Sequence, residues 1–136
     1  MDRNVILEKI TKDIRIIKKK NQNNGRVSHK LLLELNGGYS TEIPMIEEDI
    51  QLLNLLQDIG YPEPIKSKKL VEEISKDTGE VYTCIKVDLA NDKVLRYFFP
   101  KTQNGFRFKT ILDMLVEHTI AQEKQEQEIS KKIQNK

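Results

Sequence analysis

One cysteine, Cys84, and two histidines, His29 and His118, are all the chain offers of the residues that staple or metallate small folds. A lone cysteine excludes an internal disulfide, and three residues so spaced match no metal-ligand pattern. The expectation is a protein with no metal site, no cofactor and no catalytic residues, because no Ser, Cys or carboxylate is tied to either histidine by a motif. Long apolar runs are missing too. The longest nearly uninterrupted stretch, around Leu31 to Leu35, falls far short of the roughly 20 residues a membrane helix needs, and no charged-then-apolar leader opens the chain. A cytoplasmic protein without a membrane partner is expected. The six glycines lie in separate turns, which leaves neither a phosphate-binding loop nor a dinucleotide fingerprint.

What is present suits one domain. The 136 residues, 38% hydrophobic and 32% charged, are enough for one core of two packed layers. The globular part is expected over residues 1–120, with a polar helical extension over 121–136. The net charge of +2 conceals a division: residues 1–30 carry 9 basic and 3 acidic side chains, residues 31–65 carry 0 and 7, residues 66–110 carry 10 and 6, and residues 111–136 carry 4 and 5. Such alternation gives a dipolar surface that steers partners through local fields. Eighteen lysines against five arginines, with 16 isoleucines and 9 asparagines, is the bias of an AT-rich genome and suits a low-GC bacterium or its phages and mobile elements.

Periodicity gives the elements. Ile6, Ile10, Ile14 and Ile17 recur at helical spacing, which predicts an amphipathic helix over Val5–Lys20, capped by Asp2 or Asn4 and closed by Lys18, Lys19 and Lys20. Alternation from Val27 to Met45 about Asn36-Gly37-Gly38 predicts a hairpin. A helix follows from Ile46 to Ile59, with a broad apolar face that demands burial, stopped by Gly60 and Pro62. Residues 66–77 read in two ways. Lys76-Asp77-Thr78-Gly79-Glu80 resembles a hairpin turn joining a strand at Leu70–Lys76 to the next, the preferred reading, but Leu70, Val71 and Ile74 also suit a short helix. Val81–Leu89 and Val94–Phe99 are strands, and Phe108, Ile111, Leu112, Leu115, Thr119 and Ile120 mark a last helix. The fold class is therefore α+β: an N-terminal hairpin plus a three-stranded meander in an antiparallel sheet, packed with three helices of which the last is long.

The functional expectation is a non-enzymatic binding or regulatory protein, phage or mobile-element encoded, that occludes a macromolecular partner as an inhibitor would. Five aromatics fall within Tyr97–Phe108, interleaved with cations, and aromatics beside cations anchor protein interfaces or stack bases. Arg96, Tyr97, Phe99, Lys101, Asn104, Arg107 and Lys109 form the candidate surface, with a protein the favoured partner. The alternative is a winged-helix-like DNA binder that uses Lys18, Lys19, Lys20, Lys66, Lys68 and Lys69, the last three opening a recognition helix. A small enzyme of unknown substrate is the third reading. Leu112, Leu115, Ile129 and Ile133 give a weak repeat by which the last helix could pair two copies into a homodimer. Cys84 shares a strand face with Tyr82, Lys86 and Asp88 and is expected to be inert.

Overall fold

A computed structural model describes residues 2–134, with side-chain surroundings through Ile129. The chain opens with α1 (Arg3–Ile10), whose N-terminus is capped by Asp2 accepting from the Asn4 amide at 2.9 Å. Here the first expectation fails. The helix ends at Ile10, and Thr11–Lys20 is a strand, β1. Ile10, Ile14 and Ile17 fit a helical period, but Ile14 and Ile16 fit a period of two equally well. Branched side chains at Thr11, Ile14, Ile16 and Ile17 favour the extended chain, and pairing with the next strand sets Ile14 opposite Leu33 in the core. Lys18, Lys19 and Lys20 therefore end a strand rather than a helix.

The remaining elements are β2 (Val27–Leu35), β3 (Ser40–Pro44), α2 (Glu47–Asp58), β4 (Ile65–Ile74), β5 (Val81–Leu89), β6 (Val94–Phe98) and α3 (Gln103–Gln134). The α+β class holds, with the strands divided into two antiparallel sheets of order β1-β2-β3 (sheet A) and β4-β5-β6 (sheet B). Residues 66–74 are strand, so the hairpin reading of this stretch is correct and the second helix of a helix-turn-helix is not formed. Gly79 takes φ 73° in the turn, where a glycine avoids the Cβ clash of the left-handed region.

The two sheets are a tandem repeat at a constant offset of 54 residues. Thr11, Val27 and Ser40 open the strands of sheet A, and Ile65, Val81 and Val94 open those of sheet B. A register irregularity between Thr11 and Asp13 recurs between Ile65 and Ser67. Turn bonds recur as well: Asn21 donates to the Arg26 carbonyl at 2.8 Å as Ser75 does to Glu80 at 2.8 Å, and Leu35 donates to Tyr39 at 2.7 Å as Leu89 does to Lys93 at 2.8 Å. Even the bond closing each first strand repeats, Asn36 to Ile10 and Ala90 to Pro64, both 2.9 Å. Across the paired strands and their turns only Lys12/Lys66, Gly25/Gly79, Val27/Val81 and Leu35/Leu89 are identical. What persists is the pattern: Leu31, Leu33 and Leu35 are buried, as are Ile85, Val87 and Leu89.

Both sheets contribute to one core, completed by Ile6, Leu7 and Ile10 of α1 and by Phe108, Leu112 and Val116 of α3. Each fully buried aliphatic side chain there contributes about 1.5 to 3 kcal/mol. The helix α1 also seals β4, the first edge of sheet B. The Asn4 side chain accepts from the Glu72 amide at 2.8 Å and donates to the Glu72 carbonyl at 3.4 Å, and Arg3 donates to the Glu72 carboxylate at 2.9 Å. By contrast α2 buries only Leu56. Ile50, Leu52 and Leu53 are half-buried, while Leu55 and Ile59 are 55% and 61% exposed, so its broad apolar face is not covered as expected. Among the described residues no helix is long and apolar enough to cross a membrane.

Candidate partner-binding surface

Strand alternation decides what sheet B shows to solvent. Its inner row is Leu70–Ile85–Tyr97, aligned across the three strands and buried in the core. The outer face carries Lys69–Lys86–Arg96 in one row, Val71–Cys84–Phe98 in the next and Glu73–Tyr82 beyond. Three cations thus stand side by side across the sheet, and like charges directly opposite each other destabilise strand pairing. Arg96 is neutralised locally: its Nε donates to Glu73 Oε1 at 2.9 Å and Nη2 to Oε2 at 3.3 Å. This hydrogen-bonded pairing with Arg96 holds the Glu73 carboxyl below its ordinary pKa and raises that of Arg96. Lys69 and Lys86 make no ion pair among the described residues.

Beside this row the Phe98 ring is 54% exposed and leans on Tyr82, with centroids 5.5 Å apart and planes tilted by 54°. Cys84 lies beneath, fully buried. Burial and the neighbouring Glu73 carboxylate push its thiol up to about 11, and the opposing influence of Arg96 and Lys86 is smaller. A thiol held protonated is a poor nucleophile. The cation row leads into a groove of about 760 Å³ between α1, β1 and β4. Lys12, Lys68, Lys69 and Lys86 line it, together with Asp2, Glu8, Asp13 and Asp88. Three of these carboxylates are engaged: Asp2 caps α1, Asp13 pairs with Arg15 at 3.2 Å, and Asp88 accepts from the Ser67 hydroxyl at 2.7 Å.

The candidates read from the sequence are partly rearranged. Arg96 is exposed on the outer face, and Lys101, Asn104 and Arg107 are exposed around the start of α3. Tyr97 is 6% exposed, which removes it from any docking surface. Among the described residues its buried hydroxyl has no partner in hydrogen-bond geometry, and burial, with the nearby Asp49 carboxylate, raises its pKa. Burial likewise raises the pKa of Asp49. Phe99 is half-buried, packed edge-on against Phe108 at 5.6 Å, and Lys109 is half-buried and paired with Asp113 at 2.6 Å. The exposed aromatics are instead Phe98 and Phe106, the latter 64% exposed. Strand parity puts Tyr97 and Phe98 on opposite faces, and the pairing of Tyr97 with the core residue Ile85 decides which of them is inward, while Phe108, Leu112 and Val116 form a helical stripe that excludes Phe106.

Lys66, Lys68 and Lys69 lie on β4, where strand alternation puts Lys68 and Lys69 on opposite faces instead of presenting all three from a recognition helix. Lys19 is paired with Glu42, leaving Lys18 and Lys20 exposed at the end of β1. His29 is half-buried near the start of β2, and His118 is exposed on α3. Of the residues expected to pair two copies, Leu112 is fully buried in the core, Leu115 is half-buried and Ile129 is 58% exposed. Ile133 lies outside the residues whose side chains are described. Among the described residues no group of three or more His, Cys, Asp or Glu side chains could hold a metal ion. No family model matches the chain, no curated protein matches it and no solved structure matches it.

Proposed function

We propose that the chain is a non-enzymatic binding protein that acts by occluding a macromolecular partner, seated on the outer face of sheet B. The observation that carries this reading is Phe98, more than half exposed at the end of the edge strand β6, braced by Tyr82 and one row away from Lys69, Lys86 and Arg96. An aromatic anchor on a sheet, beside a row of cations, has the composition of a protein-binding hot spot. The composition of an AT-rich genome supports a phage or mobile-element inhibitor working in the cytoplasm on a host protein.

The test is capture from a low-GC bacterial lysate by immobilised wild type and Phe98→Ala, each with and without nuclease. A protein retained by the wild type, depleted by Phe98→Ala and indifferent to nuclease is the expected result. Equal retention by the variant moves the site off this face. Retention that nuclease abolishes, with affinity falling steeply in salt, replaces the protein partner by nucleic acid.

A further inference from the structure

We infer that the partner presents an acidic, extended peptide segment, whose carboxylates are taken by the lysines running from the outer face of sheet B into the groove beside α1. This rests on the reading of that face as the docking surface and names the chemistry of what docks. The first support is energetic. Lys69 lies directly opposite Lys86, and Lys86 directly opposite Arg96, an arrangement that costs stability in the free protein and is relieved when anions settle between the cations. The second is what each charge is doing. Lys12, Lys68, Lys69 and Lys86 all line one continuous surface and make no ion pair among the described residues, whereas Asp2, Asp13 and Asp88 are held by a helix cap, an arginine and a serine. Of the groove's carboxylates only Asp13 is paired with a cation, so the groove beside α1 is nearly balanced and the unpaired positive charge is most concentrated at Lys69 and Lys86, which face each other on the sheet.

The same distribution argues for carboxylates over a phosphate backbone. A nucleic-acid strand carries a continuous line of negative charge and would run against Glu8, Asp13 and Asp88 within the groove. A peptide can place its acidic side chains at the lysines and leave the intervening positions neutral, with an apolar residue for Phe98. Specificity then comes from like-charge rejection as much as from attraction.

Fluorescence anisotropy decides it, with a labelled Glu-rich peptide carrying one Leu, its Gln-for-Glu counterpart, and labelled oligothymidylate. The wild type should bind the Glu peptide and not the Gln peptide. Lys69→Gln combined with Lys86→Gln should weaken binding at least about tenfold, equivalent to about 1.4 kcal/mol. Its thermal midpoint should be no lower than that of the wild type, because a like-charge row has been removed. Lys18→Gln combined with Lys20→Gln, at the far end of β1, should bind as the wild type does. The inference is overturned if the double variant at Lys69 and Lys86 binds equally, if the Gln peptide binds as well as the Glu peptide, or if oligothymidylate binds more tightly than either. If lysate capture depends on Phe98 while the Glu peptide does not bind, this inference fails and the docking face stands. If capture is indifferent to Phe98, the face itself is wrong.

Discussion

On the outer face of sheet A, Arg15 meets Asp13 and Glu34, both at 3.2 Å, while Lys19 and Lys30 converge on Glu42. Fifty-four residues on, the row Arg15–Leu32–Glu42 becomes Lys69–Lys86–Arg96, in which only Arg96 is paired among the described residues. Where sheet A sets Pro44 and Ile17 about Lys30, sheet B sets Phe98 and Val71 about Cys84. One backbone has thus been given two surfaces. The first is electrically self-contained, and the second leaves both charge and an aromatic ring open to solvent. Strand register and turn bonding are common to both halves, the inward positions are largely apolar in both, and the outward side chains are what give the two sheets different surfaces.

The helices following each sheet extend the contrast, and the largest expected effects lie there. Leu112→Ala in α3 removes a fully buried side chain and should cost about 2 to 5 kcal/mol. Leu55→Ala in α2 should stay within about 0.5 kcal/mol. Denaturant midpoints of the two variants measure the difference, and equal losses would erase the distinction between a structural and a peripheral helix.

A smaller effect is expected where sheet B hands the chain to α3. A Cβ at Gly105 would sit 1.9 Å from the Pro100 carbonyl oxygen, so Gly105→Ala must displace the junction and should cost about 3 kcal/mol. The position 54 residues earlier is Gln51, which shows that this close approach belongs to the second repeat alone.

The turns sharpen the other side of the comparison. Gly25 and Gly79 take φ 70° and 73° with open space around the missing Cβ. Replacing either by Ala should cost about 1 to 2 kcal/mol from backbone strain alone, and the two losses should agree. A large disparity would mean that the repeats are not equivalent as scaffolds.

The smallest effects concern acid. Glu42 has its folded pKa lowered from the ordinary carboxylate value mainly by its hydrogen bond to Lys19, and Glu73 mainly by its hydrogen bond to Arg96. Both pairs therefore stabilise the fold above that value and are lost as pH falls through the lowered one. Glu42→Gln and Glu73→Gln should each cost no more than about 0.5 kcal/mol at neutral pH, as expected for solvent-screened pairs, and should flatten the acid limb of the stability curve. Glu73→Gln should also lower the Cys84 thiol pKa, since that carboxylate helps to raise it. Thiol titration of the folded protein would detect the change.

Much of the second repeat was legible in the sequence because its signals agree: Thr83, Ile85, Val87 and Leu89 alternate cleanly, and Asp77-Thr78-Gly79 supplies the turn. The first strand was not, because Ile10, Ile14 and Ile17 mimic a helical stripe and only the partner strand decides between periods. The repeat is not legible in the sequence, since the halves share burial alternation, which four identities across the strands and turns barely mark. At the site, cations and aromatics were found together, but which ring faces outward depends on register with β5, a non-local fact. The exposure of α2 follows from tertiary packing and leaves no trace in its own apolar spacing.

The contact between Asn4 and the Glu72 main chain has a consequence for how this chain can be made and divided. The residues of α1 belong physically to the half that lies later in the chain: Asn4 bonds to β4, and Arg3 to Glu117 of α3 at 2.9 Å. Neither repeat is therefore a module. A fragment beginning at Ile65 retains all three strands of sheet B and α3, but it has lost the lid over Leu112 and Val116 and uncovered a strand edge ready to pair with another copy. Proteolysis that removes α1 should therefore turn the second half, the one bearing the open surface, into an aggregating species rather than a minimal binder.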